Sequence, residues 1–362
     1  MVPSVEQVAA LWLLQMVGLG SVSAARLVAS YAPEELLRVG EQSSVALWQE
    51  IFGKVPKTAP ERERLAEQLQ GWRRSGLTIV TPWELVYPRR LALLDDRPLL
   101  LFMEGDISLL DRFAIAIVGS RNPTSYGRRM ARKLAGELAN AGVVVVSGHA
   151  LGIDQEAHLG AVEAGGATIA FLGGTQAGVR RQNPVLYQKL IDKGLAVSEY
   201  PPGTPVQSWM FPARNRLIAA HGHGTVIVEA EIKSGTMITA RLSAEMGRDL
   251  FAVPGQADNP YAEGPLALLR DGAGVAVCAQ DILGAYLELT PPRISVPPRV
   301  ELPEPLQPTH RWLTEHQEAT PDEVAEGLHL PLPDILIQLT QLELLGAVTQ
   351  TASNRYRPLT AA

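Results

Sequence analysis

Short apolar runs recur through the middle of this chain, and between them apolar residues return every three or four positions. The runs are Leu77–Val80, Leu99–Met103, Ile115–Val118, Val143–Val146, Thr168–Leu172, Leu195–Ser198, Val226–Val228, Leu250–Val253 and Val275–Cys278. Each is too short for a helix, and several are continuous in Val and Ile rather than alternating with polar residues. That pattern predicts strands buried on both faces. Strands that alternate with helical segments predict a mostly parallel sheet covered by helices on each side. The span from about 80 to 288 exceeds a minimal unit of this kind. The fold class read from it is α/β, an extended Rossmann fold.

The flanks have a different rhythm. Residues 1–75 carry only helical spacing: Val8–Met16, a tight turn at Gly18-Leu19-Gly20, then Val22–Ser30 with Ser21 as its cap. This is a SAM-like or helix-hairpin-helix pattern, whose hairpin amides can hold a phosphate. Arg26 is the only cation close to that hairpin, which favours a small helical packing domain over DNA contact. Residues 76–288 form the predicted Rossmann domain. Prolines then crowd 289–308 (Pro291, Pro292, Pro297, Pro298, Pro303, Pro305, Pro308), predicting a stiff extended linker. Within 309–362, three short helical stretches, Arg311–His316, Pro321–Leu328 and Asp334–Leu345, precede Gly346-Ala347-Val348 and Arg355-Tyr356. Three helices and a small β-wing predict a winged helix.

Composition narrows the classes. Hydrophobic residues make up 46% of the 362 and charged residues 19%, enough for packed cores and against global disorder. Cys278 is the single cysteine, so neither an internal disulfide nor a Cys-based zinc site is available. The first twenty residues lack a basic region ahead of their apolar positions, and no run approaches a membrane span. The expectation is a soluble protein in a reducing cytoplasm. The net charge of −6 hides a segregation: every charged residue from Arg112 to Lys133 is basic, whereas Glu301–Glu343 is acidic apart from Arg311. A local positive groove is compatible with an acidic total.

The chemistry gathers where predicted strands break into Ser/Gly turns before a helix. At Val118-Gly119-Ser120-Arg121, Gly119 permits close approach of a ligand, Ser120 offers a hydroxyl and Arg121 a guanidinium fork. Ser147 and Gly148 form the second turn. Asp154 and His158 follow on one face of the next helix, where a carboxylate–imidazole contact is expected rather than a metal. Ser234, Gly235 and Thr236 form the third turn, with Arg241 further along that helix. Between them, Trp209 and Phe211 precede Arg214, Asn215 and Arg216. Aromatic faces beside phosphate forks suit single-stranded nucleic acid, whose bases are free to stack. The competing reading places the aromatics in the core and the arginines in salt bridges. Neither G-x-G-x-x-G nor G-x-x-x-x-G-K-[ST] is present, which disfavours dinucleotides and nucleoside triphosphates. The pair His221 and His223 lacks a third ligand and reads as packing. Three such turns at one edge of a parallel sheet predict an extended polyanion site.

The segments VGSRNPTSYG, VVSGHALGID, ATIAFLGG, FPARNRLIA, EAEIKSGTMITA and GRDLFAVPG, in this order and spacing over about residues 85–280, resemble the DNA-processing protein A family, also called DprA or Smf. The resemblance implies a cytoplasmic homodimer, paired through its Rossmann domain. It would bind single-stranded DNA and load RecA recombinase onto it in natural transformation and homologous recombination, without catalysis, metal or cofactor. It also implies DNA contacts at Arg121, Phe211, Arg214, Ser234 and Arg241, with Gly119, Ser120, Ser147 and Gly148 supplying backbone contacts. One segment departs. Where the family shows G-x-D-x-x-Y-P-x-x-N, residues 174–183 lack the Asp, Tyr and Pro, while Asn183 remains and Arg181 supplies a cation.

Two alternatives compete. One is a Rossmann-type nucleotide phosphoribohydrolase with Glu229 as acid or base, although its P-G-G-x-G-T-x-x-E string is absent. The other is a nucleotide-binding sensor. In the C-terminal module, Asp334–Leu345 holds no Lys or Arg where a duplex-reading helix would be basic, so that module is expected not to bind DNA directly.

Overall fold

The computed structural model describes residues 2–17, 22–42, 61–286, 303–316, 318–345, 347–351 and 355–358. The hairpin Gly18-Leu19-Gly20 with Ser21, and the prolines from Pro291 to Pro298, lie outside them. Two compact units are present, Met1–Ile294 and Ser295–Ala362.

The first unit opens with helices α1 (Val5–Val17), α2 (Val22–Ser30), α3 (Pro33–Gln42) and α4 (Arg62–Arg74). They bury Trp12, Leu13, Leu37, Leu65 and Leu69, and the same core takes in Ile79, Leu99, Leu100 and Phe102. Trp72 meets Phe102 edge to face at 5.3 Å. The N-terminal helices therefore share one core with the first strands of the sheet.

That sheet has nine strands: β1 (Thr78–Val80), β2 (Leu101–Gly105), β3 (Ala114–Val118), β4 (Val144–Ser147), β5 (Thr168–Phe171), β6 (Leu195–Ser198), β7 (Gly224–Ile227), β8 (Asp249–Ala252) and β9 (Gly274–Val275). Their spatial order is β1-β2-β6-β5-β4-β3-β7-β8-β9. The seven from β6 to β9 are parallel, and β1 and β2 add antiparallel strands at one side. Of the predicted run Val275–Cys278 only Val275 is strand, together with Gly274 before it, because Cys278 becomes the residue before a short helix, Ala279–Leu283.

β3 is the pivot. From it the chain steps outward through β4, β5 and β6, then returns to place β7 on the opposite side. Ligand crevices in open α/β sheets lie at such a reversal, beyond the carboxyl ends of the strands. The helices that cover the sheet are α5 (Arg89–Ala92), α6 (Ser125–Asn140), α7 (Ile153–Glu163), α8 (Gln176–Gln182), α9 (Pro184–Lys193), α10 (Met210–His221), α11 (Gly235–Glu245), α12 (Glu263–Arg270) and α13 (Ala279–Leu283). Ile115 and Ile117 of β3 face α6 and α7, whereas Ala116 and Val118 face α10 and α11, as a period of two requires. α6 shows how the sequence sets a boundary. Thr124 accepts the Gly127 N–H at 3.2 Å to start it, one face buries Ala131, Leu134, Ala135 and Leu138, and Gly142 in the left-handed region (φ 78) follows its end.

In the second unit, α14 (Gln307–His316), α15 (Pro321–Leu328) and α16 (Leu332–Leu344) precede an antiparallel pair, β10 (Val348–Gln350) and β11 (Tyr356–Pro358). Thr320 and Glu323 cap α15 reciprocally, each side chain accepting the other's N–H, at 3.3 and 2.8 Å. The core holds Leu313, Val324, Ile335, Leu339, Leu342 and Tyr356.

Candidate nucleic-acid interface

The carboxyl ends of β3, β4 and β7 open into a cleft of about 460 Å³. Glu229 holds the first and third turns together. Its carbonyl accepts the Ser120 N–H at 2.7 Å, and its carboxylate accepts the Thr124 N–H at 2.8 Å and the Thr124 hydroxyl at 2.5 Å. The second turn is stitched in by the Ile153 N–H, which donates to the Ser120 carbonyl at 3.1 Å. Gly119 is required here, because a Cβ would sit 2.6 Å from the Ile153 side chain. The buried Ser147 hydroxyl donates to the Ile117 carbonyl at 2.7 Å, so it fastens the turn rather than facing the cleft.

Arg214 forms the floor. It is 3% exposed, and its Nη1 donates to the carbonyls of Gly148 and Phe171 while its Nε donates to Asn215 Oδ1 at 3.2 Å. A Cβ at residue 148 would overlap this guanidinium, so glycine there is what admits it. Burial lowers the Arg214 pKa, and the neighbouring Asp154 opposes that. Burial raises the Asp154 pKa, against the pull of Arg214 and the Ala150 N–H at 3.3 Å. The wall is Phe211, admitted because Gly173 has no Cβ to meet its ring at 2.6 Å, and exposed Arg121 lies over that ring at 5.1 Å. A guanidinium on an aromatic face is a cation–π contact. Opposite it, Ser234 precedes α11, yet its hydroxyl makes no cap and has no hydrogen-bond partner. The open Cα of Gly235, the first-turn residue Thr236 and Asn215, whose Nδ2 donates to the Gly235 carbonyl at 3.4 Å, complete this side.

The structure thus gathers Gly119, Ser120, Arg121, Phe211, Arg214, Asn215, Ser234, Gly235 and Thr236 around one space, with Ser147 and Gly148 directly beneath. Three predicted contacts fall elsewhere. Arg216 is turned into the protein, bidentate to Glu199 at 2.9 and 2.8 Å and joined to Asp96 at 2.8 Å. Burial works against its charge, but the two carboxylates outweigh that and raise its pKa. Arg241 projects from α11 into solvent, 3.7 Å from Glu245, and does not line the cleft. Arg181 is exposed on α8, also outside it. Sequence reasoning treated residues 174–183 as a loop, but Thr175 accepts the Gly178 N–H at 3.3 Å and starts a helix there.

The histidine and Glu229 readings can also be compared with the geometry. His158 does not contact Asp154: its Nδ1 pairs with the Thr168 hydroxyl at 2.7 Å, and its ring lies 5.8 Å from that of His149. His221 is fully buried, and His223 Nδ1 lies 3.1 Å from the Ala114 carbonyl while its Nε2 meets Arg90, so both are packed. No group of three or more metal-ligating side chains occurs among the described residues. Glu229, the acid or base of the phosphoribohydrolase reading, has its carboxylate spent on Thr124 and does not line the cleft. Asn122, Tyr261, Ile238 and the rim acid Glu231 do line it and were missed. Only Asn122, adjacent to the first turn, carried a usable signal.

A family model described as DNA recombination-mediator protein A matches residues 78–287, the sheet and its cleft. The chain belongs to this family. Among family members, DNA processing protein DprA of Bacillus subtilis is 39% identical over 221 residues, covering 60% of this chain and 74% of that protein. Protein Smf of Synechocystis is 31% identical across 96% of this chain and 98% of its own. The structure of DprA from Streptococcus pneumoniae aligns with a TM-score of 0.64 at 29% identity, over 78% of this chain and 98% of that one. That of DprA from Helicobacter pylori, solved to describe a single-stranded DNA binding mode, gives 0.52 at 32% identity, over 59% and 96%. A mixed α/β fold with a largely parallel sheet is common ground with these relatives, and no described helix is long and apolar enough to cross a membrane.

Proposed function

We propose that this chain binds single-stranded DNA in the cleft and delivers it to RecA recombinase in natural transformation and homologous recombination. It acts as a cytoplasmic binding protein rather than an enzyme and uses no cofactor. The observation that carries this reading is Arg121 lying over Phe211 at the mouth of a cleft ringed by strand-end turns. In this reading the Arg121 guanidinium meets a phosphate, a base stacks at the Phe211 ring, and Gly235 and Thr236 at the start of α11 line the same space with N–H groups that have no partner within the helix. The single-stranded DNA binding described for the Helicobacter pylori relative supports it. RecA delivery and a homodimer paired through the Rossmann sheet complete this reading, on the resemblance of the motifs to the family. The C-terminal unit, with the helix order and β-pair of a winged helix, serves as a protein-contact module.

Fluorescence anisotropy against single-stranded DNA, a matched duplex and a mononucleotide, across a salt series, tests the reading. A length-dependent, salt-sensitive preference for the single strand supports it. Binding of the mononucleotide alone would retire it in favour of a sensor. RecA-driven strand exchange on DNA coated with single-strand-binding protein tests delivery, which requires faster exchange when this protein is added.

A further inference from the structure

We infer a second phosphate subsite for the same DNA strand, in a groove beside the cleft. The inference rests on the single-stranded DNA reading above and extends its path.

The basic residues of α6 are mostly committed. Arg128 and Arg132 pair with Glu156 at 3.4 and 2.8 Å, Arg132 also with Glu163 at 3.6 Å, and Lys133 pairs with Glu137 at 3.7 Å. Arg129 alone in that row has no carboxylate partner among the described residues. It lines a groove of about 580 Å³ between the start of α6 and the segment that follows β8. Every other lining residue is uncharged, and Ser125, Gln256 and Asn259 bring polar side chains to it. The Tyr126 hydroxyl, donating to the Pro254 carbonyl at 2.8 Å, ties the two walls together.

The groove and the cleft are continuous along the chain. Asn122 lines the cleft and Thr124 the groove; Tyr261 lines the cleft and Asn259 the groove. The Asn259 side chain accepts the Tyr261 N–H at 3.0 Å, so this divider is fixed. A strand leaving Arg121 and Phe211 therefore meets, on crossing the Ser120–Thr124 turn, an uncharged polar trough with one uncommitted guanidinium. That is what the next backbone phosphates require. Arg129 is the positioning cation of this subsite, and its partner is the sugar-phosphate backbone, without base preference.

The test uses oligothymidylates graded in length, from one that fills the cleft to one that spans both sites, with the full-length protein. Two variants address the groove. Arg129→Ala removes an exposed, unpaired cation. Ser125→Glu puts a negative charge in the groove at the first position of α6, where an acidic residue favours the helix. Both should leave thermal unfolding and short-oligomer affinity unchanged, abolish the gain in affinity with length, and flatten the long-oligomer salt dependence by about 0.7 in log–log slope for the lost contact. Parent-like binding at every length by both variants, with Arg121→Ala weakened, overturns the subsite and leaves the cleft intact. Equal weakening of short and long oligomers by Arg129→Ala also overturns it. If Arg121→Ala is itself silent, the DNA reading of the cleft falls as well.

Discussion

The cleft edge of the sheet and the last helix of the C-terminal unit both present an exposed surface, but of opposite chemistry. Around the cleft, glycines bring backbone close, Arg121 lies over one aromatic ring, Arg214 forms the floor, and the Ser234 hydroxyl and the start of α11 line the same space. On α16, Leu336 and Ile337 are 43% and 58% exposed, Leu332 is exposed beside them, and the helix carries Asp334 and Glu343 with no cation. Anion binding depends on what is left uncommitted after folding. The sheet unit leaves Arg121 and the first amides of α11, Gly235 and Thr236, available; α16 leaves apolar surface and acids, and Arg355 in the same unit is taken by Glu318 and Glu323.

The largest effect should come from a residue that resembles the cleft arginines and is not one. Arg216→Ala strands Glu199 in the interior and should cost about 3–5 kcal/mol of stability, as loss of one partner of a buried pair does. Urea unfolding measures this, and a silent result would return Arg216 to the list of DNA contacts. Acid should then separate the units. Burial lowers the pKa of His149 to about 4 and of His221 to about 3, whereas the histidines of the described second unit are not buried. Between about pH 6.5 and these values the unfolded chain binds protons that the fold does not. The sheet unit should therefore lose about 1.4 kcal/mol per pH unit for each imidazole as pH falls, partly offset by Asp154, whose raised pKa acts in the other sense. Thermal scans from pH 7 to 4 should show the sheet unit unfolding first.

Binding effects are smaller. Phe211→Ala should weaken single-strand affinity by about 1–3 kcal/mol with the salt slope unchanged, as stacking does. Arg121→Ala should weaken all sequences alike and flatten the slope by about 0.7. Removing Ser295–Ala362 should change neither single-strand affinity nor slope; duplex binding lost with that segment would erase the contrast between the two surfaces.

Much of this was legible in the sequence. β3 to β6 lie within one residue of their apolar runs, because strands buried on both faces must be continuously apolar. The three turns were visible because Ser and Gly are what a strand end needs to approach an anion. Arg214 and Arg216 show a failure that helix geometry could have prevented. At 100° per residue they point to nearly opposite sides of α10, so both could not face one cleft. Arg241, five residues beyond Thr236, was misplaced for the same reason. Other contacts had no local signal: Glu229 meets Thr124 across 105 positions, and His158 takes Thr168 from β5 rather than Asp154 on its own helix.

Glu229 has a consequence beyond local order. Its carbonyl and its carboxylate each hold a different part of the β3 turn through bonds made within the fold itself. The ordering entropy of that turn is thus lost during folding and is not charged again on association. The site behaves as a preset mould. Free and DNA-bound backbones should superpose there within about 1 Å, and association should proceed at a rate limited by encounter, without a closing step.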